Sequence, residues 1–366
     1  MPSQRRTFES RIDYSLLLPV LLLLSIGVTA IYIAVSHDYP NNALQIVGQQ
    51  VAWILLGFLI SFIVMFFNTK FLWIMTPFLY ILGLGLMILP LLFYSESLVA
   101  STGAKNWVAF HGVTLFQPSE FMKISYILML SRVVVKFLQQ NKNYERTLAL
   151  DFFLIVKLAL YTLPVLFLLA LQSDLGTALV FAAIYCGIVL LSGVSWKIIL
   201  PIFLTVSLLF TVFMLIFISD GGRAFLHGLG MPTYQINRIS AWLHPFEYAQ
   251  TITYQQAQGQ IAIGSGGLLG QGFNVSNLLV PVRESDMIFT VIAEDFGFLG
   301  SSLVIVIYLV LIYRMLQITI KSNNQFYTYI STGLIMMLLF HIFENIGAVT
   351  GILPLTGIPL PFNSQG

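Results

Sequence analysis

Long apolar runs separated by short polar breaks dominate the pattern of this chain. They cover Tyr14–Val35, Ala43–Phe67, Phe71–Phe93, Pro118–Val135, Phe152–Leu171, Gly176–Leu191, Trp196–Ile218, Asp286–Leu311 and Tyr327–Gly347. An α-helix needs roughly 20 apolar residues to cross a bilayer, and most of these runs approach that length. The runs are continuously apolar rather than alternating, which argues against membrane strands. The pattern therefore predicts nine spans, with a tenth beginning near Leu355: an all-α polytopic membrane protein.

Composition agrees. The chain is 58% hydrophobic and 9% charged, with a mean hydropathy of +0.89, whereas a soluble domain carries roughly 25% charged residues. The net charge of +2 comes without a basic block, so nothing points to nucleic acid. A lone cysteine, Cys186, rules out an internal disulfide framework. The first run follows Arg5, Arg6 and Arg11 and is too long for a cleaved secretory signal.

Loop charges predict the orientation. With the start inside, the inner segments hold Arg5, Arg6, Arg11, Lys70, Arg132, Lys136, Lys142, Arg146, Lys197, Arg314 and Lys321. The outer ones hold only Lys105, Arg223, Arg238 and Arg283. The expected organisation is one transmembrane domain over residues 1–366, with residues 1–13 cytoplasmic. Outer loops are expected at 95–117 and 219–285, and long loops of this kind tend to be functional. Pro232–Ala249 mixes Trp242, Phe246 and Tyr248 with polar residues, as surface-lying helices do. No internal repeat is visible, which weakens an inverted-repeat transporter reading.

The polar residues that interrupt this pattern are the candidate chemistry. "VRESDMIFTVIAEDFG", Val282–Gly297, gathers Glu284, Asp286, Glu294 and Asp295 in a chain with 15 acidic residues. Ser285 or Asp286 fits a helix cap. Asp286 equally fits a general base, half desolvated at the outer membrane surface. Glu294 and Asp295 lie deeper, where ionisable groups are either paired or functional. In "GAKNWVAFHGVTLFQPSEFMK", Pro118 suits a first helical turn. Glu120 and Lys123 share a helix face, either as a plain ion pair or, with Lys105, as part of a site for a diphosphate. Asp174 in "LQSDLGTAL" reads as a turn or cap residue. "GQIAIGSGGLLGQG", Gly259–Gly272, has no Walker pattern; its glycines suit a flexible loop or close approach to an anion. His37, His111, His227, His244 and His341 are scattered without metal-site spacing.

Taken together, "GAKNW", "QPSEFMK", "QSDLGTAL", "AIGSGGLLGQG", "ESDMIFTVIAEDFGFLG" and "NIGAVTGILPLTGIPLPFNSQG" resemble the SEDS family over nearly the whole chain and in the family's order. That resemblance implies a ten-helix SEDS-type bundle in the bacterial cell membrane. It implies a peptidoglycan glycosyltransferase that polymerises lipid II for cell elongation and shape, with its site on the extracytoplasmic face. Asp286 matches the family's proposed base, acting with inversion at the anomeric carbon. Glu120, Lys123, Gln117 and Ser119 match the Q-P-S-E-x-x-K motif and its substrate contacts; Asp174 and Ser265 lie in further matching motifs. Lys105 stands where the family often has arginine, and Arg238 is a further candidate cation. The leaving diphosphate needs lysine, arginine or a divalent cation such as Mg or Mn; the cofactor itself is left open. The implied partners are a class B penicillin-binding protein transpeptidase, other cell-elongation membrane proteins and membrane lipid. Ser173 replaces a common proline, a change expected to be mild. The family continues past the motif ending at Gly366, so the tenth helix is expected to be incomplete. A lipid II flippase and a recruiting scaffold are the rival readings.

Overall fold

A computed structural model describes residues 12–96, 99, 103–110, 113–219, 221–247, 253–275 and 280–365. The expected features at Arg5, Arg6, Arg11, His111, Tyr248 and Ala249 lie outside these residues. Every apolar run folds as a helix. They are α1 (Tyr14–Asp38), α2 (Ala43–Val64), α3 (Thr69–Leu86) with the short α4 (Leu89–Leu92), α5 (Pro118–Gln140) and α6 (Leu148–Leu171). Then come α7 (Leu175–Leu191), α8 (Trp196–Ile218), α9 (Gly222–Gly228), α10 (Thr233–Leu243), α11 (Tyr254–Ser265), α12 (Ile288–Lys321) and α13 (Gln325–Val349).

Among the described residues, seven helices are long and apolar enough to cross a membrane. Two more of the expected spans are helical but atypical. α7 has only 17 residues. α5 carries Glu120, Lys123, Arg132 and Lys136 yet is largely buried. One departure is a short antiparallel hairpin, β1 (Val108–Phe110) paired with β2 (Val113–Phe116). Only a loop was expected there; cross-strand pairing satisfies backbone groups that the apolar pattern does not report. Within Pro232–Ala249 the chain forms α10, a strongly amphipathic helix.

The chain divides into two compact units. The first comprises Met1–Phe71, Ala241–Ser322 and Leu338–Gly366. Here α1 packs on α12 and α2, and α11 packs on α12. Its core includes Leu23, Ile31, Val35, Met287, Val291 and Leu360, all fully buried. The second comprises Leu72–Ser240 and Asn323–Met337. There α5, α6 and α7 pack together around Met122, Tyr126, Leu158, Leu169, Phe181 and Ile184. Tyr126 shares a hydrogen bond of 2.8 Å with the Thr162 hydroxyl and meets Phe181 edge to face.

After α13 the chain does not begin another helix within the described residues. Residues 351–365 are turns and extended backbone. Pro354, Pro359 and Pro361 cannot donate to a helix ladder, and Gly351 and Gly357 have positive φ. This irregular segment is nevertheless buried: Leu360 and Asn363 are fully enclosed. Irregular backbone is tolerated at membrane depth only where protein satisfies it. Here the Asn363 amide donates to the Leu23 carbonyl at 3.1 Å, and the Tyr308 hydroxyl lies between the Pro361 carbonyl and Asn363 Oδ1, its one proton donated to one or shared between them. Gly27 gives the segment room, since a Cβ there would fall 2.7 Å from Asn363 Cα.

Candidate functional site

Residues 281–287 form a turn segment leading into α12. The N-cap position falls on Met287, with no side-chain cap. Neither Ser285 nor Asp286 holds the cap, and the span starts at Ile288 rather than at Asp286. The half-buried Asp286 side chain stands just before the start of α12.

The segment is entered through Val282, whose φ of 56° is rare for a β-branched residue. Arg283 then turns inward. Its Nη2 lies 2.9 Å from Glu294 Oε2, and both side chains are 0% exposed. Asp295 accepts the Asn274 backbone N–H at 3.0 Å. Glu294 is thus held by an ion pair, whereas only Oδ2 of Asp295 is met by the loop amide and its buried Oδ1 has no hydrogen-bond partner among the described residues.

Three contacts from residues 338–366 hold this segment or wall it. The Asn345 side-chain amide donates to the Asp286 carbonyl at 2.7 Å and to the Ile358 carbonyl at 2.8 Å. The Gln365 backbone N–H donates to the Glu284 carbonyl at 2.8 Å. A Cβ on Gly357 would lie 3.8 Å from Asp286 Oδ2. Beside Asn345, buried Glu344 accepts a hydrogen bond from the Thr356 hydroxyl. Sequence reasoning missed Asn345, Glu344 and Thr356 as individual residues. The available signal was the polar pair Glu344–Asn345 near the end of an apolar run.

Burial pushes the Glu284 carboxyl above its ordinary value, and nearby Asp38 adds to the effect while Arg283 opposes it. The Tyr39 hydroxyl is also raised, first by the Glu284 charge and then by burial. The C-terminal end of α1 thus senses the charge on this segment.

The glycine segment packs backbone to backbone against α12. α12 is broken at Gly297, where φ is 64° and ψ is −159°. The loop after α11 fills the break. Gln271 and Gly272 donate backbone N–H groups to the carbonyls of Glu294 and Asp295, while Phe298 and Leu299 donate to Gly267 and Leu268. A Cβ on Gly266 would strike the Ala293 carbonyl, and one on Gly270 would strike the Asp295 carbonyl. These glycines permit backbone-to-backbone approach, and the loop satisfies groups that a helix break would otherwise expose to lipid. Ser265, the candidate contact in this motif, donates its hydroxyl to the Ala262 carbonyl at 2.7 Å.

Asp286 and Ser265 belong to the first unit; the other candidates belong to the second. Gln117 occupies the N-cap of α5 without a side-chain cap bond, and Pro118 opens the helix. Lys123 is buried and reaches Glu120 at 2.7 Å, whose own side chain is 57% exposed. The pair thus presents its acid outward and shelters its ammonium. Ser119 is buried beside it. Asp174 does cap α7, accepting from Thr177 N at 3.0 Å, and it also holds the Asn106 side chain at 2.8 Å. Lys105 joins this cluster through its backbone, donating to Gln172 O at 2.8 Å. Its ammonium lies 4.5 Å from the Tyr94 ring centroid. Arg238 lies half-buried on α10. Ser173, where a proline is common in the family, has a φ of 59°, a conformation closed to proline, whose ring fixes φ near −65°. Among the described residues, no group of three or more His, Cys, Asp or Glu side chains could hold a metal ion.

This architecture, many membrane helices with a carboxylate-bearing turn held by an irregular buried segment, defines a multi-pass membrane protein with an enzyme-like site. Its family follows from comparison. The FtsW/RodA/SpoVE profile, described as a cell cycle protein, matches residues 14–366, and the chain belongs to that family. It is 30% identical to the peptidoglycan glycosyltransferase MrdB of Escherichia coli K12, over 99% of this chain and 91% of that protein. It is 27% identical to the stage V sporulation protein E of Bacillus subtilis, over 97% and 92% of the two chains. The fold matches a chain of a peptidoglycan synthase complex with a TM-score of 0.74 at 24% identity, covering 97% and 92%. It matches the Thermus thermophilus rod shape determining protein RodA with a TM-score of 0.65 at 24% identity, covering 100% and 92%.

Proposed function

We propose that this chain is a peptidoglycan glycosyltransferase that polymerises lipid II on the outer face of the bacterial membrane, with its N-terminus cytoplasmic. Asp286 takes the proton from the acceptor GlcNAc 4-hydroxyl. The oxygen forms a bond to the anomeric carbon of the donor MurNAc as the bond to undecaprenyl diphosphate breaks, and the centre inverts. Lys123, Lys105 and Arg238 are the candidate cations for the diphosphate. A Mg or Mn ion carried on the diphosphate would keep most of its water and need few protein ligands. A class B penicillin-binding protein is the proposed partner that crosslinks the product.

The observation that carries this reading is the Asp286 side chain. It is half-buried and set just before the start of α12, in a family whose named relatives include peptidoglycan glycosyltransferases. The test is glycan polymerisation from purified lipid II by the partner-bound protein. Asp286→Asn is expected to stay folded and partner-bound and to lose polymer by at least about a hundredfold, as general bases contribute about 10²–10⁴. Equal polymer from both proteins would remove Asp286 as the base. Transbilayer movement of lipid II without any polymer would favour the flippase.

A further inference from the structure

We propose that Asn345 is a positioning residue for Asp286: its side-chain amide sets where the base stands. The inference rests on Asp286 being the base. Asp286 lies in a turn segment, outside any helical ladder, entered through the left-handed Val282. Such a segment needs tertiary contacts to hold one geometry. Arg283 anchors it inward on Glu294, and Gln365 N–H holds the Glu284 carbonyl. Asn345 acts on residue 286 itself, at 2.7 Å.

The same amide holds the Ile358 carbonyl at 2.8 Å, one residue beyond Gly357. Gly357 is the backbone wall beside the Asp286 carboxylate, with a φ of 79° and room for a Cβ only 3.8 Å from Oδ2. One side chain, 2% exposed and mounted on a long helix, therefore fixes both the base and the surface facing it. Both amide hydrogens are used, while the buried Oδ1 has no hydrogen-bond partner among the described residues. A half-satisfied buried amide is a poor choice for stability alone. A base must stand within about 2.6–3.2 Å of the proton it removes, and a displacement of about 1 Å costs about a hundredfold in rate.

The test compares Asn345→Leu, close in shape but without donors, and Asn345→Ala, which leaves room for water on the two carbonyls. Both are studied in the partner-bound protein. Polymerisation rates are measured against lipid II concentration. Amide exchange is followed across residues 283–288, and thermal unfolding is recorded in parallel. The expected result is a fall in kcat of about a hundredfold, KM within about twofold, faster exchange across 283–288 and a melting temperature close to the parent's. Asn345→Gln, which keeps the amide, should recover part of kcat. Unchanged kcat or unchanged exchange in a folded variant would overturn the proposal. So would activity lost only in step with thermal stability, or failure of both variants to fold, which would make Asn345 a structural residue. If the parent itself makes no polymer, the proposed activity fails, and the exchange measurement still decides whether Asn345 holds the segment.

Discussion

Arg283 is the largest fully buried side chain among the described residues, and it is charged. Replacing it with methionine keeps most of the bulk and removes the guanidinium. Glu294, also 0% exposed, then keeps its buried carboxylate without the partner at 2.9 Å. Two unit charges about 4 Å apart attract by about 4 kcal/mol at an effective dielectric of about 20. Breaking a buried pair by removing one member costs about 3–5 kcal/mol, so the two figures agree. Removing both charges, as in Arg283→Met with Glu294→Leu, should cost little or stabilise by about 1–4 kcal/mol, because desolvation is relieved on both sides. The assay is equilibrium unfolding in mixed micelles at neutral pH, with the single variants and the pair forming a double-mutant cycle. A loss below about 1 kcal/mol for Arg283→Met would refute the reasoning, since that is the worth of an exposed pair. A double variant less stable than either single one would refute it as well.

Three further outcomes are expected. The Glu284 carboxyl is raised in the fold by burial, so its protonated form favours folding. Its contribution is fully present below the unfolded value of 4.5 and is lost as pH rises through the raised folded value. Glu284→Gln should therefore be more stable than the parent at pH 7 and lose that advantage in acid, as thermal unfolding across the range will show. Ser173→Gly should stabilise by about 1 kcal/mol by relieving a left-handed residue, whereas Ser173→Pro should destabilise by more than that; chemical unfolding separates the two. Gly270→Ala should cost about 1–3 kcal/mol through overpacking against the Asp295 carbonyl, read as a lower unfolding midpoint.

The helices were legible because lipid imposes one rule along each span: continuous apolar side chains and backbone groups satisfied within the helix. Boundaries shifted by a few residues, since polar residues such as Asp13 and Asn42 cap or precede the apolar run. Glu120 with Lys123 was legible too, because a spacing of three places both on one helix face. The hairpin at 108–116 was not, as its pairing depends on partners outside the local pattern. The glycine segment was visible as glycine, but its role in filling the break at Gly297 depends on a helix that lies close to it only in the folded chain.

The residues around Asp286 divide in the same way. By itself, the sequence determined a carboxylate at the mouth of a span, because a charged cluster before a long apolar run has few places to go except the membrane surface. It left open whether Asp286 capped the helix, and whether Glu294 and Asp295 were paired or functional. Tertiary structure supplied the partners that the sequence does not show. The cap position falls on Met287, Arg283 reaches back to Glu294, and the Asn274 amide reaches Asp295. Asn345, 59 residues from Asp286 in sequence, comes to its carbonyl only because the C-terminal part of α13 lies against the turn segment in the folded chain. Hydrophobic burial is non-directional and accumulates along the chain, so it can be read locally. A hydrogen bond demands a particular partner at about 3 Å, and only the folded chain supplies that partner.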